Sequence, residues 1–114
     1  METEKLVEKL LNEGLELLSS EKKQKQKKGF GTLRAAFGLG SMAAAYYEGI
    51  CYKNGIGTYQ SDEQAFERFE MAADAVPKAM FELGLCYVHG IGTEQDLEKA
   101  FACFSDAAQS GLPE

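Results

Sequence analysis

Cysteine is scarce and unpaired by spacing: there are three, an odd number, and no C-x-x-C joins any two of them. A single histidine, His89, stands without a partner of acid–base or metal-ligand spacing. These shortages argue against a disulfide framework and against a zinc site, so no cofactor and no metal are expected. No apolar run reaches the ~18 residues of a membrane span. Glu2 and Glu4 ahead of Leu6 are not the basic start of a secretory leader. A cytoplasmic protein is expected, although a mature secreted chain relieved of its leader would read the same way. Basic residues are also few outside one stretch. Residues 22–28 carry five lysines, whereas residues 29–114 hold 5 basic and 12 acidic side chains, within a net charge of −6. A net acidic body repels polyphosphate at long range, and nucleic acid is not expected as a partner.

What is present is repetition. Glu48-Gly49-Ile50-Cys51-Tyr52-Lys53-Asn54-Gly55-Ile56-Gly57-Thr58 returns 35 residues later as Leu83-Gly84-Leu85-Cys86-Tyr87-Val88-His89-Gly90-Ile91-Gly92-Thr93, and residues 41–75 match residues 76–110 at 15 of 35 positions. A period of this length signals supersecondary units that bury surface by stacking on their neighbours. Cys51 and Cys86 are equivalent positions in successive units. Units on the order of 10 Å apart are too distant for the ~5.5–6 Å Cα spacing of a disulfide. Reduced packing thiols are expected, with a Cys86–Cys103 bridge across one hairpin as the alternative.

Each unit divides into two helices. Leu6, Val7, Leu10, Leu11, Leu15 and Leu18 recur at three- and four-residue steps behind Thr3 as N-cap, which predicts a helix over 4–19. Ser19-Ser20 and the Lys/Gln run predict a polar loop at 21–28, and a second apolar pattern runs from Phe30 to a stop at Gly40-Ser41. A shift of 36 places Phe30 on Phe66, Leu33 on Phe69 and Ala36 on Ala72. Residues 1–40 are therefore expected to be a divergent, capping helical pair. Ser41 caps the next helix, which Gly55 and Gly57 break by supplying positive φ. Ser61 to Gln64 has capping-box spacing and starts a helix through Asp74. The last unit, 76–110, restarts at Pro77, turns at Gly90-Ile91-Gly92, and enters a final helix after Asp96. Residues 111–114 resemble the beginning of a further unit or a tail. The expected fold is all-α, a helical-repeat solenoid of about three antiparallel helical hairpins.

The pattern Ala79-x3-Leu83-Gly84-x2-Tyr87-x2-Gly90-x-Gly92-x3-Asp96-x2-Lys99-Ala100-x3-Phe104-x2-Ala107-Ala108-x2-Gly111 resembles the Sel-1-like repeat, a relative of the tetratricopeptide repeat. The unit 41–75 departs from it: Glu48 replaces the usual buried Leu, Ser61 replaces Asp, and Gln64 replaces Lys. The resemblance implies a right-handed α/α superhelix whose first helices line a concave side, and adaptor roles in assembling protein complexes. It supplies no catalytic residues, and a non-enzyme is expected.

Helical projection places Ala44, Glu48, Gly49 and Tyr52, with Ala79, Leu83, Gly84 and Tyr87, on the packing side of their helices. The opposite side carries Tyr46, Tyr47 and Ile50, then Phe81, Leu85 and Val88, with Lys53 and His89 at its margin. A solvated face would be polar. This stripe is either partly buried by superhelix curvature or an apolar groove that takes a protein or peptide segment, with aromatic anchors and Lys53 and His89 adjusting specificity. Glu48 would be costly to bury unpaired, and is expected to reach solvent near Arg34 or to meet a polar ligand group. The lysine run reads first as a solvated loop and second as an attractor of acidic protein or anionic surface. Self-association through an uncovered end around Phe101, Phe104 and Ala108 is the structural alternative to the groove. A hydrolase of the β-lactamase-labelled cysteine-rich repeat type is the weakest reading: Ser19-x-x-Lys22 and Ser20-x-x-Lys23 match S-x-x-K, but S-D-N and K-T-G are missing.

Overall fold

The computed structural model describes residues 2–111, and the tail residues 112–114 lie outside them. Six helices follow one another: α1 (Glu2–Leu18), α2 (Lys23–Gly38), α3 (Met42–Asn54), α4 (Asp62–Ala72), α5 (Pro77–His89) and α6 (Leu97–Gln109). No strand occurs among the described residues. The most extensive packing lies within the pairs α1–α2, α3–α4 and α5–α6, and the pairs then stack through α2–α3 and α4–α5. The chain is an all-α helical-repeat solenoid, 38 × 32 × 22 Å in extent.

Local chemistry sets the boundaries. The Oγ of Ser41 accepts from the Ala44 N–H at 3.0 Å, that of Ser61 from the Gln64 N–H at 3.2 Å, and Asp96 Oδ1 from the Lys99 N–H at 3.0 Å. Each satisfies one of the orphaned amides of a helix start. Gly55 and Gly90 end α3 and α5 in the left-handed region, at φ 67° and 68°. Two residues later, Gly57 and Gly92 again have positive φ, and a Cβ there would strike the carbonyl oxygens of Gln26 and Asp62 respectively. The turn glycines thus serve twice, as backbone hinges and as the contact by which one hairpin seats on the one before.

The seam between hairpins is built the same way each time. Phe30 of α2 meets Tyr52 of α3 edge-on at 5.3 Å, and Phe66 of α4 meets Tyr87 of α5 edge-on at 5.6 Å. Inside the hairpins, Gly49 and Gly84 let the rings of Phe69 and Phe104 lie where a Cβ would come within 2.6 Å. Gly14 does the same for Leu33 in the first pair, where a Cβ would come within 3.0 Å. The three cysteines are buried and free. Burial pushes the Cys51 thiol up to about 12 and the Cys86 thiol up to about 11, so both stay protonated packing groups.

Two expectations at the N-terminal end are corrected. The lysine run is not a loop at 21–28: α2 begins at Lys23, and only the stretch around Ser20 to Lys22 turns the chain. Lys and Gln are good helix formers, and burial of Phe30, Leu33 and Ala36 further along the helix outweighs repulsion among exposed lysines. The first helix starts at Glu2, which puts Thr3 inside its first turn and not at its cap.

Candidate functional site

The residues picked from the sequence as a binding stripe all lie on α3 and α5. These two helices are not a main packed pair. A side-chain bridge spans them: Lys53 Nζ lies 3.0 Å from Glu82 Oε2, with the lysine side chain 33% and the carboxylate 15% exposed. A pair this open contributes ~0–1 kcal/mol, so its role is to orient two side chains more than to stabilise the fold. Lys53 is thereby engaged within the chain.

Tyr46, Tyr47 and Ile50 are half-buried and lean against the core of Phe30, Tyr52 and Phe69. The Tyr46 ring meets Tyr47 edge-on at 4.9 Å and tilts against Phe69 at 6.1 Å. Burial, the Glu82 carboxylate and Tyr47 together push the Tyr46 phenol above its usual range. On α5, Phe81 is exposed and packs its ring against Phe104 at 5.3 Å, while Leu85 and Val88 are half-buried. His89 is exposed at the C-terminal end of α5. The arrangement is a row of apolar and aromatic side chains with one edge in the core and the other in solvent, flanked by charge. It offers contact area, with the Lys53–Glu82 ion pair at its margin.

Glu48 is the residue that sequence reasoning misplaced. It does not reach solvent near Arg34; its side chain is fully buried, and its Oε1 accepts from Arg68 Nε of α4 at 3.2 Å. Arg68 also donates from Nη1 to Glu67 at 2.7 Å, and its guanidinium lies 5.4 Å from the Phe37 ring centroid and 5.7 Å from that of Tyr52. Glu48 Oε2 has no hydrogen-bond partner among the described residues. Desolvation pushes the Glu48 carboxyl above its ordinary range, and Arg68 and Arg34 pull it only part of the way back. The signal that could have found the pair is in the repeat itself: at 35-residue spacing Glu48 corresponds to Leu83 and Arg68 to Cys103, so both partners depart together.

The serines of the S-x-x-K matches have structural duties. Ser19 Oγ donates to the Glu16 carbonyl at 2.6 Å, and Ser20 Oγ accepts from the Lys22 N–H at 3.1 Å. Among the described residues no three His, Cys, Asp or Glu side chains converge as metal ligands, and no helix is long and apolar enough to cross a membrane.

Comparison with known proteins follows the repeats. The Sel1 repeat profile matches residues 33–75 and 77–112. Among solved structures, a Sel1 repeat protein from Oxalobacter formigenes superposes with a TM-score of 0.75 at 28% identity, covering 94% of this chain and 32% of that one. A protective antigen present in uropathogenic Escherichia coli strains, described as displaying an SLR fold, superposes with a TM-score of 0.85 at 27% identity, covering 90% of this chain and 22% of its own. The present chain thus spans about a third and about a fifth of those proteins. No curated protein matches.

Proposed function

The chain belongs to the Sel1 repeat family, and from that premise we propose that it is an adaptor that binds a segment of a protein partner on a concave face formed by α3 and α5. A helical-repeat module of the protein-interaction kind is what the family supports; the surface is our reading. The observation that carries it is the row of apolar and aromatic side chains Tyr46, Tyr47, Ile50, Phe81, Leu85 and Val88, which stays partly exposed although Tyr46 leans on Phe69 of α4 and Phe81 on Phe104 of α6. Aromatic side chains anchored at one edge in a core lose little freedom on binding, which is what makes them effective contacts. Lys53, Glu82 and His89 supply the polar rim that sets orientation.

Affinity capture from a lysate of the organism that carries the chain tests this reading. The unaltered chain is compared with a Tyr47→Ala/Phe81→Ala/Leu85→Ser variant of equal helicity. A protein retained by the first and lost by the second is expected. Identical retention by both would sink the reading.

A second reading rests on its own observation. Phe101 is 73% and Leu97 62% exposed on α6, although Phe66, the repeat equivalent of Phe101, is covered by Tyr87. Self-association through this face, with Ala108 at its edge and Phe104 beneath, would appear in light scattering as a mass that rises with concentration and falls back in Phe101→Ser.

A further inference from the structure

The edge of the solenoid that carries the glycine turns repeats one contact twice, a turn glycine seated on the helix before it. In the first, the turn from Gly55 to Tyr59 faces the opening turns of α2, with Gly57 seated over the Gln26 carbonyl. In the second, Gly92 is seated over the Asp62 carbonyl of α4. A shift of 36 residues carries Lys23 onto Tyr59 and Lys27 onto Glu63. The first contact is therefore basic at sequence positions where the second has a phenol and a carboxylate.

The five lysines of the run are not alike. Lys25 and Lys28 line a depression that also contains Glu13 and Glu16 of α1, whose carboxylates offset them. Lys23 and Lys27, one helical turn apart on the same side of α2, line an open cleft of about 350 Å³ with no carboxylate in its wall. No lysine of the run forms an ion pair among the described residues. Beside the two lysines stands Tyr59, 67% exposed, its ring braced edge-on against Tyr52 at 5.7 Å. Two uncompensated cations and a fixed aromatic face thus meet across a recess whose floor is Gln26 and the Gly57–Thr58 backbone.

The geometry points to this cleft as a docking site for an acidic peptide segment of a protein partner, with its carboxylates on Lys23 and Lys27 and a neighbouring apolar residue on Tyr59. Charge complementarity chooses the occupant's sign, and shape chooses its kind. A recess between a helix and a turn admits a single narrow chain, whereas a bilayer is flat. Nucleic acid and anionic bilayer alike would also have to approach a body of net charge −6 over a wide area. A peptide places its carboxylates in the cleft alone. The site is separate from the α3–α5 row, and its test does not depend on that row.

The probe is a short fluorescein-labelled peptide of glutamate pairs flanking leucine, titrated with the full chain and followed by fluorescence anisotropy. Saturable binding that weakens steeply with added salt is expected. Lys23→Glu/Lys27→Glu should weaken it about tenfold or more, whereas Lys25→Glu/Lys28→Glu, equal in net charge, should change it less than about threefold. Tyr59→Ala should weaken it several-fold. Equal losses in the two lysine pairs would mean undirected charge attraction and would overturn the site. So would tighter binding of single-stranded RNA, co-sedimentation with phosphatidylserine vesicles in preference to the peptide, or an affinity indifferent to salt. A readout on the unaltered chain removes any dependence on variant folding: bound peptide should shield Lys23 and Lys27 from acetylation while leaving Lys25 and Lys28 reactive. Uniform shielding of all four is the opposite result.

Discussion

The hairpins α3–α4 and α5–α6 are two solutions to one packing problem. They share a side-chain cap on the second helix, their left-handed glycines and the glycine that lets a phenylalanine ring lie against the first helix, although Ser41 caps α3 where α5 has Val76 and begins on Pro77. They differ at one pair of equivalent positions that face the hairpin interior. The second hairpin places Leu83 and Cys103 there, both buried and apolar; the first places Glu48 and Arg68. A leucine needs only to leave water. A carboxylate must also recover what desolvation takes, and here it does so through one hydrogen bond of 3.2 Å, with the second oxygen unpartnered among the described residues. Equivalent positions in a repeat protein thus tolerate opposite chemistry, provided both partners change together.

The sharpest break of that comparison is to remove one partner only. Arg68→Cys, the residue found at the equivalent place in the second hairpin, leaves Glu48 buried among apolar groups without its cation. A loss of about 3–5 kcal/mol in chemical denaturation is expected. A loss within experimental error of zero would mean that the guanidinium does not stabilise the carboxylate.

Completing the exchange should reverse the damage. Glu48→Leu added to Arg68→Cys writes the second hairpin's pair into the first, and stability should return to that of the unaltered chain or exceed it by about 1–4 kcal/mol. The cycle is the test. If Glu48→Leu has the same effect with Arg68 present as with Cys present, the two residues are not coupled and the comparison fails.

How much of this was legible beforehand follows from the same pair of hairpins. The helices, turns and caps of residues 41–110 could be read because Ser41, Ser61, Asp96 and the paired glycines act through local backbone chemistry that spacing alone reveals. Residues 1–40 are less legible, because the polarity of their lysine run suggests a loop where its helix propensity and the buried stripe following it decide the outcome. Gly14 carries a signal of the same kind as the later repeats, since Glu13-Gly14 stands 35 residues before Glu48-Gly49 and Gly14 makes an equivalent close approach to the facing helix. The Glu48–Arg68 contact joins residues 20 apart on different helices. Each residue judged by itself looks like a misfit, and only the joint change to Leu83 and Cys103 exposes them as partners. The apolar row on α3 and α5 was recognisable as a stripe, but not the Lys53–Glu82 bridge across it, which depends on how far successive hairpins are offset.

The smallest effect expected is also the one that separates the two hairpins without weakening either. Glu48 titrates above its ordinary value of 4.5 because burial disfavours the anion more than Arg68 and Arg34 favour it. The folded chain therefore binds this proton more tightly than the unfolded chain does. By linkage, the contribution of Glu48 to stability is fully present below pH 4.5 and is lost as pH rises through the raised value, with a slope bounded at roughly 1.4 kcal/mol per pH unit for one proton. Leu83 has nothing to titrate. Denaturation midpoints taken across this range should fall with rising pH more in the unaltered chain than in the Glu48→Leu/Arg68→Cys chain, since all other carboxylates are common to both. A difference of the opposite sign would mean that Arg68 holds Glu48 ionised more firmly than burial expels its charge, and the first hairpin would then owe net stability to the ion pair that the second does without.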